Sequence, residues 1–256
     1  MNKIYISIIS HGHDELLLEN DSLKLYQNFP NVFVVIVDNI SSEKLEKYCN
    51  SIGVHYLANK NRKGFGANNN NAYSHCLNLG MEENDYFVVH NPDVFFNSDS
   101  LSLLFNTLSN STIGIGTIKL YKDRECRNIE NSIRYFPTVY DIFKGFLGRQ
   151  VTRTYEVDNL VDSEEVEWCS GALMVIKSRL YSKLDGFDER YFMYYEDVDL
   201  CYRARSSLNE QVNFIKGPVA CHVGAYNNRK LFSKHFWWYI KSLFRFLITS
   251  SGKIER

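Results

Sequence analysis

A mostly parallel α/β sheet with helices on both faces is the fold that this 256-residue sequence predicts. Three observations predict it. Apolar, β-branched runs recur through the first half and are nearly continuous, as in strands buried on both faces. Stretches of helical period separate them, so successive strands join in parallel through right-handed crossovers. Hydrophobic residues make up 45% of the chain, enough for one sizeable core and too many for a disordered segment.

The first strand is "IYISIIS" (4–10). Its apolar run is too short for a signal peptide and meets the polar "HGHDE" at once, so it reads as the buried first strand of a cytosolic protein. Strands follow at "VFVVIVD" (32–38), "VHYLA" (54–58), "DYFVVH" (85–90) and "IGIGTIKLY" (113–121), with helices between them at 13–28, 42–51, 66–79 and 98–109. This alternation is Rossmann-like and doubly wound. Residues 122–165 break the pattern and read as an irregular insert around a short helix near "TVYDIFKGFLG". "VEWCSGALMVIKSRLYSKL" then reads as a strand and a helix, and further helices are expected at 196–208 and 230–248. No repeat, low-complexity tract or linker divides the chain, which predicts one domain over 1–228 and a C-terminal appendage over 229–256.

Charge is uneven along the chain. Residues 229–256 hold seven Lys or Arg against one Glu, so a body of net charge −7 has a tail of +6. An acidic body argues against nucleic acid as the partner, and the tail suits an anionic one. In "KLFSKHFWWYIKSLFRFLITS" (230–250), Lys230, Lys234, Lys241 and Arg245 recur on one side of a helix, with Phe232, Phe236, Ile240, Leu243 and Leu247 on another. Charge interrupts the segment too often for it to span a bilayer. It reads either as an interfacial membrane helix or as a helix packed on the body. The six cysteines are scattered, which predicts free thiols in a reducing compartment.

Ligands of an open parallel sheet bind beyond the carboxyl ends of its strands. Asp38, in "VDN", leaves the second strand there, as a contact to a base or ribose or as a helix N-cap. Lys63, Gly64 and Gly66, in "NRKGFGANNNNA", open a helix; the glycines permit close approach and positive φ, so the loop suits a diphosphate or is simply a turn. In "NPD", Asn91 and Asp93 end another strand, where one carboxylate can share a hard divalent cation with substrate phosphates or close an Asx turn. In "YFMYYEDVDL", Glu196, Asp197 and Asp199 follow aromatics whose dryness raises a carboxylate's pKa and makes it a better general base, while at least one of the three, Asp199, reads as an acid of a helix's first turn that suits its dipole. Trp168 and Gly171, in "EWCSGALM", suit a sugar-binding wall or the core, and His222 in "ACHVGAY" suits a third metal ligand or a structural role.

Taken in order, "VDN", "NRKGFGANNN", "NPD", "WCSGALM" and "GFDERYFMYYEDVDLCYR" resemble the family 2 inverting glycosyltransferases of the GT-A fold over residues 3–225. With "RYFP" (134–137) and "NNRKLFSKHFWWYIKSLFRF", the resemblance extends to bacterial rhamnosyltransferases that build O-antigen on a lipid carrier. It implies a nucleotide-binding half (1–120) and an acceptor-binding half (121–228), with Asp197 as catalytic base and Glu196 beside it at the acceptor. Ser10, His11, Asp38, Lys63, Gly64, Gly66, Asn91 and Asp93 become nucleotide-sugar contacts, and Trp168 and Gly171 line the acceptor or sugar site. Asp93, with His222, would hold Mg²⁺ or Mn²⁺. The metal motif here is Asn-Pro-Asp rather than Asp-x-Asp, which leaves one carboxylate. The resemblance further implies dTDP-β-L-rhamnose as donor, a glycan or polyprenyl-diphosphate-linked acceptor, and a peripheral place on the cytoplasmic face of the inner membrane through the C-terminal helix. UDP-galactofuranose or a UDP-hexose as donor, and a non-catalytic glycan-binding role, are the alternatives.

Overall fold

The computed structural model describes residues 1–138, 140–141, 153–224 and 234–251. The predicted first-half strands form β1 (Ile4–Ser10), β2 (Val32–Asp38), β3 (His55–Ala58), β4 (Tyr86–His90) and β6 (Ile115–Tyr121), and a short β5 (Val94–Phe95) follows β4. The second half adds β7 (Ile133–Arg134), β8 (Glu165–Val166), β9 (Trp168–Cys169), β10 (Leu173–Lys177) and β11 (Val212–His222). Among the described residues the main sheet has the order β3-β2-β1-β4-β10-β6-β11-β5, with β8 beside β11. β10 runs antiparallel to both β4 and β6, while β11 is parallel to β6. Six of the nine strands therefore share one direction, which makes the sheet mostly parallel. β7 and β9 form a separate antiparallel pair.

Every residue of β1 is buried, because the sheet is covered twice. One core packs Ile4, Ile6 and Ile8 against α1 (Asp14–Leu18), α2 (Ser22–Tyr26), α3 (Glu43–Ser51) and α5 (Ser98–Ser109). The other packs Tyr5 and Ile9 with α4 (Phe65–Asn78), α6 (Ser178–Lys183), α7 (Glu196–Leu208) and α8 (Lys234–Ser251), to which α8 contributes Leu243 and Phe246. The outer face of α8 stays open, with Trp237 60%, Phe244 54% and Ile248 75% exposed.

Three expectations change in detail. The helix expected over 13–28 is two short helices, because buried Asn20 interrupts it. Its Nδ2 donates to the carbonyls of Pro92 and Val94 at 3.3 and 3.1 Å, and its Oδ1 accepts from Ser22 N. The apolar run before His222 is a long strand whose register slips between Phe214 and Val219, where Gly217 takes φ +114° and Pro218 has no N–H to pair. The short helix expected near 138–148 falls largely outside the described residues, as do Lys230 and Phe232.

Candidate active site

The parallel register brings Ser10, Asp38 and Ala58 level at one edge of the sheet, with His90 leading to Asn91 and Asp93 beside them. Asp38 is fully buried. Its Oδ1 accepts from Ile40 N at 3.0 Å, and its Oδ2 accepts from Ser42 N at 2.7 Å and Tyr56 OH at 2.9 Å, so it orders the turn ahead of α3. Ser10 is buried as well, and its Oγ accepts weakly from His13 N at 3.4 Å. His11 is exposed at the rim, and burial together with the Arg62 charge lowers its pKa.

Asn39 ties these loops together. Its amide donates to the Lys63 carbonyl at 2.9 Å and approaches His11 Nδ1 at 3.1 Å, and its Oδ1 accepts from Lys63 N and Asn59. Asn59 in turn donates to Asn68 on α4. The sequence motifs did not single out this amide network. Its only sequence signal is that "VDN" and "ANNNN" put polar residues into otherwise apolar surroundings.

Gly64 and Gly66 do serve close approach, but neither has positive φ. Gly64 is the extended N-cap of α4, and Gly66 lies within the helix. They approach protein. A Cβ on Gly64 would stand 2.5 Å from the Phe192 carbonyl oxygen, and one on Gly66 would stand 2.7 Å from Phe187 Cβ. Phe65 N donates to that same Phe192 carbonyl at 3.1 Å. Lys60, Arg62 and Lys63 stay exposed beside this loop and form no ion pair among the described residues.

Around Asp93 an imidazole sits between two carboxylates. His222 Nε2 lies 3.2 Å from Asp93 Oδ1, and its Nδ1 lies 2.9 Å from Glu130 Oε2. Burial alone would lower the pKa of His222, but its bonds to Asp93 and Glu130 push it up to about 10. Asp93 is held below the ordinary carboxylate range, because the bond and charge of His222 outweigh its own burial. Among the described residues no group of three or more His, Cys, Asp or Glu is placed to hold a metal ion by itself. The pair nonetheless fits an open cation site. Glu130 orients the His222 ring from behind, as an outer partner does for metal-bound histidines, so Nε2 would be free to hold a cation beside Asp93 once deprotonated. Nothing in "RNIENSIR" marked Glu130 as part of this site.

The base candidate stands where the chain turns sharply into α7. Tyr194 and Tyr195 both adopt left-handed φ, 71° and 67°, which costs of order 1–3 kcal/mol each for non-glycine residues. Asp197 Oδ2 accepts from Gly171 N and its Oδ1 from Val198 N, both at 2.9 Å. Burial raises its pKa, against the pull of those two amides and of the Arg134 charge. Gly171 has no room to spare: a Cβ there would meet the Phe65 ring at 3.1 Å. Glu196 is 6% exposed, and its Oε2 has no hydrogen-bond partner among the described residues. Burial, with the neighbouring Asp197 charge, pushes its pKa well above the ordinary value and so favours its neutral form. Asp199 pairs with Arg203 at 2.7 Å, and Arg203 also bonds the Leu184 and Gly186 carbonyls. Trp168 is 6% exposed, with its Nε1 donating to the Tyr135 carbonyl at 2.8 Å and the Arg134 guanidinium over its ring.

One edge of the sheet thus presents a polar loop cluster, a cation-compatible Asp–His pair and a carboxylate held by two amides. The profile of glycosyl transferase family 2 matches residues 18–184. The chain is 31% identical over 250 residues to the rhamnosyltransferase WbbL of Escherichia coli K12, covering 95% of this chain and 92% of that one. It is 32% identical over 123 residues to the N-acetylglucosaminyl-diphospho-decaprenol L-rhamnosyltransferase of Mycobacterium tuberculosis H37Rv, covering 45% and 40% of the two chains. Among solved structures, the mannosyltransferase PcManGT of Pyrobaculum calidifontis, in complex with GDP-Man and Mn²⁺, matches with a TM-score of 0.59 at 15% identity. That match covers 88% of this chain and 58% of the Pyrobaculum chain, a likeness of fold. The chain therefore spans less than two thirds of the length of the mycobacterial and Pyrobaculum proteins.

Proposed function

Because the chain belongs to glycosyl transferase family 2 and is a glycosyltransferase, we propose that it is an inverting enzyme that moves L-rhamnose from dTDP-β-L-rhamnose to a hydroxyl of a lipid-diphosphate-linked sugar, in the assembly of a cell-surface polysaccharide. The observation that carries the mechanism is the Asp197 carboxylate, oriented by the amides of Gly171 and Val198 and raised in pKa by burial. Rhamnose as the sugar is supported by the E. coli relative, and a diphosphate-linked acceptor by the printed name of the mycobacterial one.

In this reading Asp197 accepts the proton of the acceptor hydroxyl while that oxygen attacks the anomeric carbon opposite the diphosphate. A single displacement inverts the centre, and no second carboxylate nucleophile is needed, unlike a retaining hydrolase. Asp93 and His222 would hold a divalent cation, whose chemistry is to neutralise charge growing on the departing diphosphate. The exposed Lys60, Arg62 and Lys63 add positive charge beside the donor loop. Glu196, enclosed and held toward its neutral form by burial, would limit the second negative charge beside the base. The open face of α8, apolar and basic, would rest on an anionic membrane surface and bring the enzyme to a lipid-borne acceptor.

A thermal-shift screen of nucleotide sugars with and without Mg²⁺ or Mn²⁺ tests the donor. A cation-dependent rise selective for dTDP-rhamnose is expected, and one selective for a UDP-sugar refutes rhamnose. Asp197→Asn is expected to lose turnover by about 10³-fold or more while still binding donor; unchanged turnover would exclude it as the base. NMR of the product should show an α-L-rhamnoside, and a β-linkage would rule out inversion.

A further inference from the structure

The segment that joins the Asp–His pair to the base contains a cation that the proposed reaction leaves unused. Glu130, bonded to His222, stands four residues before Arg134. The backbone between them is fixed on both sides. Ser170 N donates to the Ser132 carbonyl at 2.8 Å, Arg134 pairs across β7 and β9 with Trp168, and Tyr135 N donates to the Arg153 carbonyl. The half-buried Arg134 side chain has its guanidinium 5.3 Å from the centre of the Trp168 ring, and its Nε donates to the Asn131 carbonyl at 2.5 Å.

The two terminal nitrogens of Arg134 make no hydrogen bond among the described residues, and no carboxylate pairs with it there. Two other arginines near this site are used differently: Arg190 is spent on Asp188, and Arg203 on Asp199 and two carbonyls. A half-desolvated guanidinium over an aromatic ring, with no carboxylate in ion-pair reach among the described residues, presents a planar fork that matches two oxygens of one phosphate. Its charge is felt by Asp197 and Tyr195. Its β-sheet partner Trp168 also stands three residues before Gly171, whose N–H holds Asp197. Arg134 therefore belongs to the base side of the site, where the substrate that loses a proton must sit, and apart from the Asp–His pair.

We propose that Arg134 is an acceptor-binding residue, whose guanidinium grips a phosphate of a lipid-diphosphate-linked sugar while Asp197 faces that sugar's hydroxyl. Trp168 is then the platform that holds the guanidinium flat, and the Asn131 carbonyl fixes its direction. This rests on the diphosphate-linked acceptor proposed above.

The test uses the full chain with dTDP-rhamnose and two acceptors, N-acetylglucosaminyl diphosphate on a short alkyl chain and the neutral alkyl glycoside of N-acetylglucosamine. Wild type is expected to show a lower KM for the diphosphate. Arg134→Gln should raise that KM about 10- to 100-fold, the size of a lost charge-assisted contact, and leave the glycoside KM and the donor Kd within about twofold. Arg134→Lys, which keeps the charge and loses the fork, should recover part of the loss. An equal loss on both acceptors, with the acid limb of the rate profile moved, makes Arg134 a tuner of Asp197 and overturns the proposal. A weakened donor Kd assigns it to the donor phosphates and overturns it too. A wild type that turns over the diphosphate acceptor, with a glutamine variant that does so equally well, refutes the Arg134 assignment alone. Absence of wild-type turnover on the diphosphate acceptor refutes the acceptor reading as well.

Discussion

Replacing Gly64 with alanine sets two accounts of that glycine against each other. The added methyl would lie 2.5 Å from the Phe192 carbonyl oxygen and 2.8 Å from its Cα, where uncrowded contact needs about 3.5 Å. The obstacle is backbone, so no rotamer change relieves it, and residues 191–195 must retreat by roughly 1 Å. Overpacking of this kind costs about 1–3 kcal/mol, and loss of the Phe65 N–H bond to Phe192 adds about 1 kcal/mol. The entropy removed from the unfolded chain returns less than about 1 kcal/mol, so destabilisation wins. For a chain of this size the net corresponds to a Tm lower by roughly 5–10 °C, read by calorimetry or fluorescence. Turnover should fall as well, because the displaced segment leads directly into Glu196 and Asp197. Gly171→Ala is the milder comparison, since its methyl meets the edge of the Phe65 side chain at 3.1 Å. If Gly64→Ala melts with wild type and only its donor affinity drops, the glycine makes room for a ligand and the packing account is wrong.

Three further outcomes follow from the same geometry. Glu196→Gln mimics the neutral form that burial favours. Because the folded pKa is raised, the group's contribution is fully present below the ordinary glutamate value of about 4.3 and is lost as pH climbs from there through the raised folded pKa. The variant should gain Tm over wild type at pH 8 and little at pH 4, and an equal gain at both would show that the side chain is not protonated. Glu130→Gln should raise the divalent-cation concentration needed for half-maximal turnover by about 10- to 100-fold, the cost of losing a histidine's outer partner; an unchanged requirement would exclude His222 as a ligand. Joint replacement of Trp237, Phe244 and Ile248 by serine should cut sedimentation with anionic vesicles by more than about 100-fold while leaving Tm within 1–2 °C or so, because all three are exposed. Truncation after Arg229 is the poorer test, since it also strips Leu243 and Phe246 from the core.

The parallel half of the sheet was legible because β1, β2 and β4 are buried on both faces, which only unbroken apolar runs can satisfy. The insertion of β10 antiparallel between β4 and β6 was not, since burial pattern carries neither direction nor strand order. Gly217 and Pro218 concealed the length of β11, and Asn20 looked like one polar position in a helix until its bonds to Pro92 and Val94 explained the break. Asp93, Asp197 and His222 stood out as polar residues beside apolar runs. Glu130 did not, and Arg134 showed only as the first residue of "RYFP", with no role attached, because both lie in an irregular insert where no periodicity marks which side chains turn inward. The glycines were read for conformational freedom, yet Gly64 and Gly66 have ordinary backbone angles, and the space they leave is filled by Phe192 and Phe187.

The aromatics of "YFMYYED" do more than dry the base. Two consecutive left-handed tyrosines would relax if the surrounding chain let them, so the packing that holds them sets where Asp197 stands. Tyr191 is fully buried, Tyr195 stacks obliquely on Tyr239 and Phe246, Phe192 packs on Trp238 at 4.8 Å, and Tyr194 OH bonds His235 at 3.0 Å. Four of those partners, Trp238, His235, Tyr239 and Phe246, belong to α8. On its other side the same segment gives the Phe192 carbonyl to Phe65 beside the donor loop. The C-terminal helix is therefore structural support for the base as well as an exposed face. The inner face of α8 fixes the turn that aims Asp197, and its outer face leaves Trp237, Phe244 and Ile248 open to solvent. Anything that docks on the outer face acts on a helix already tied, through one strained turn, to both the donor loop and the carboxylate.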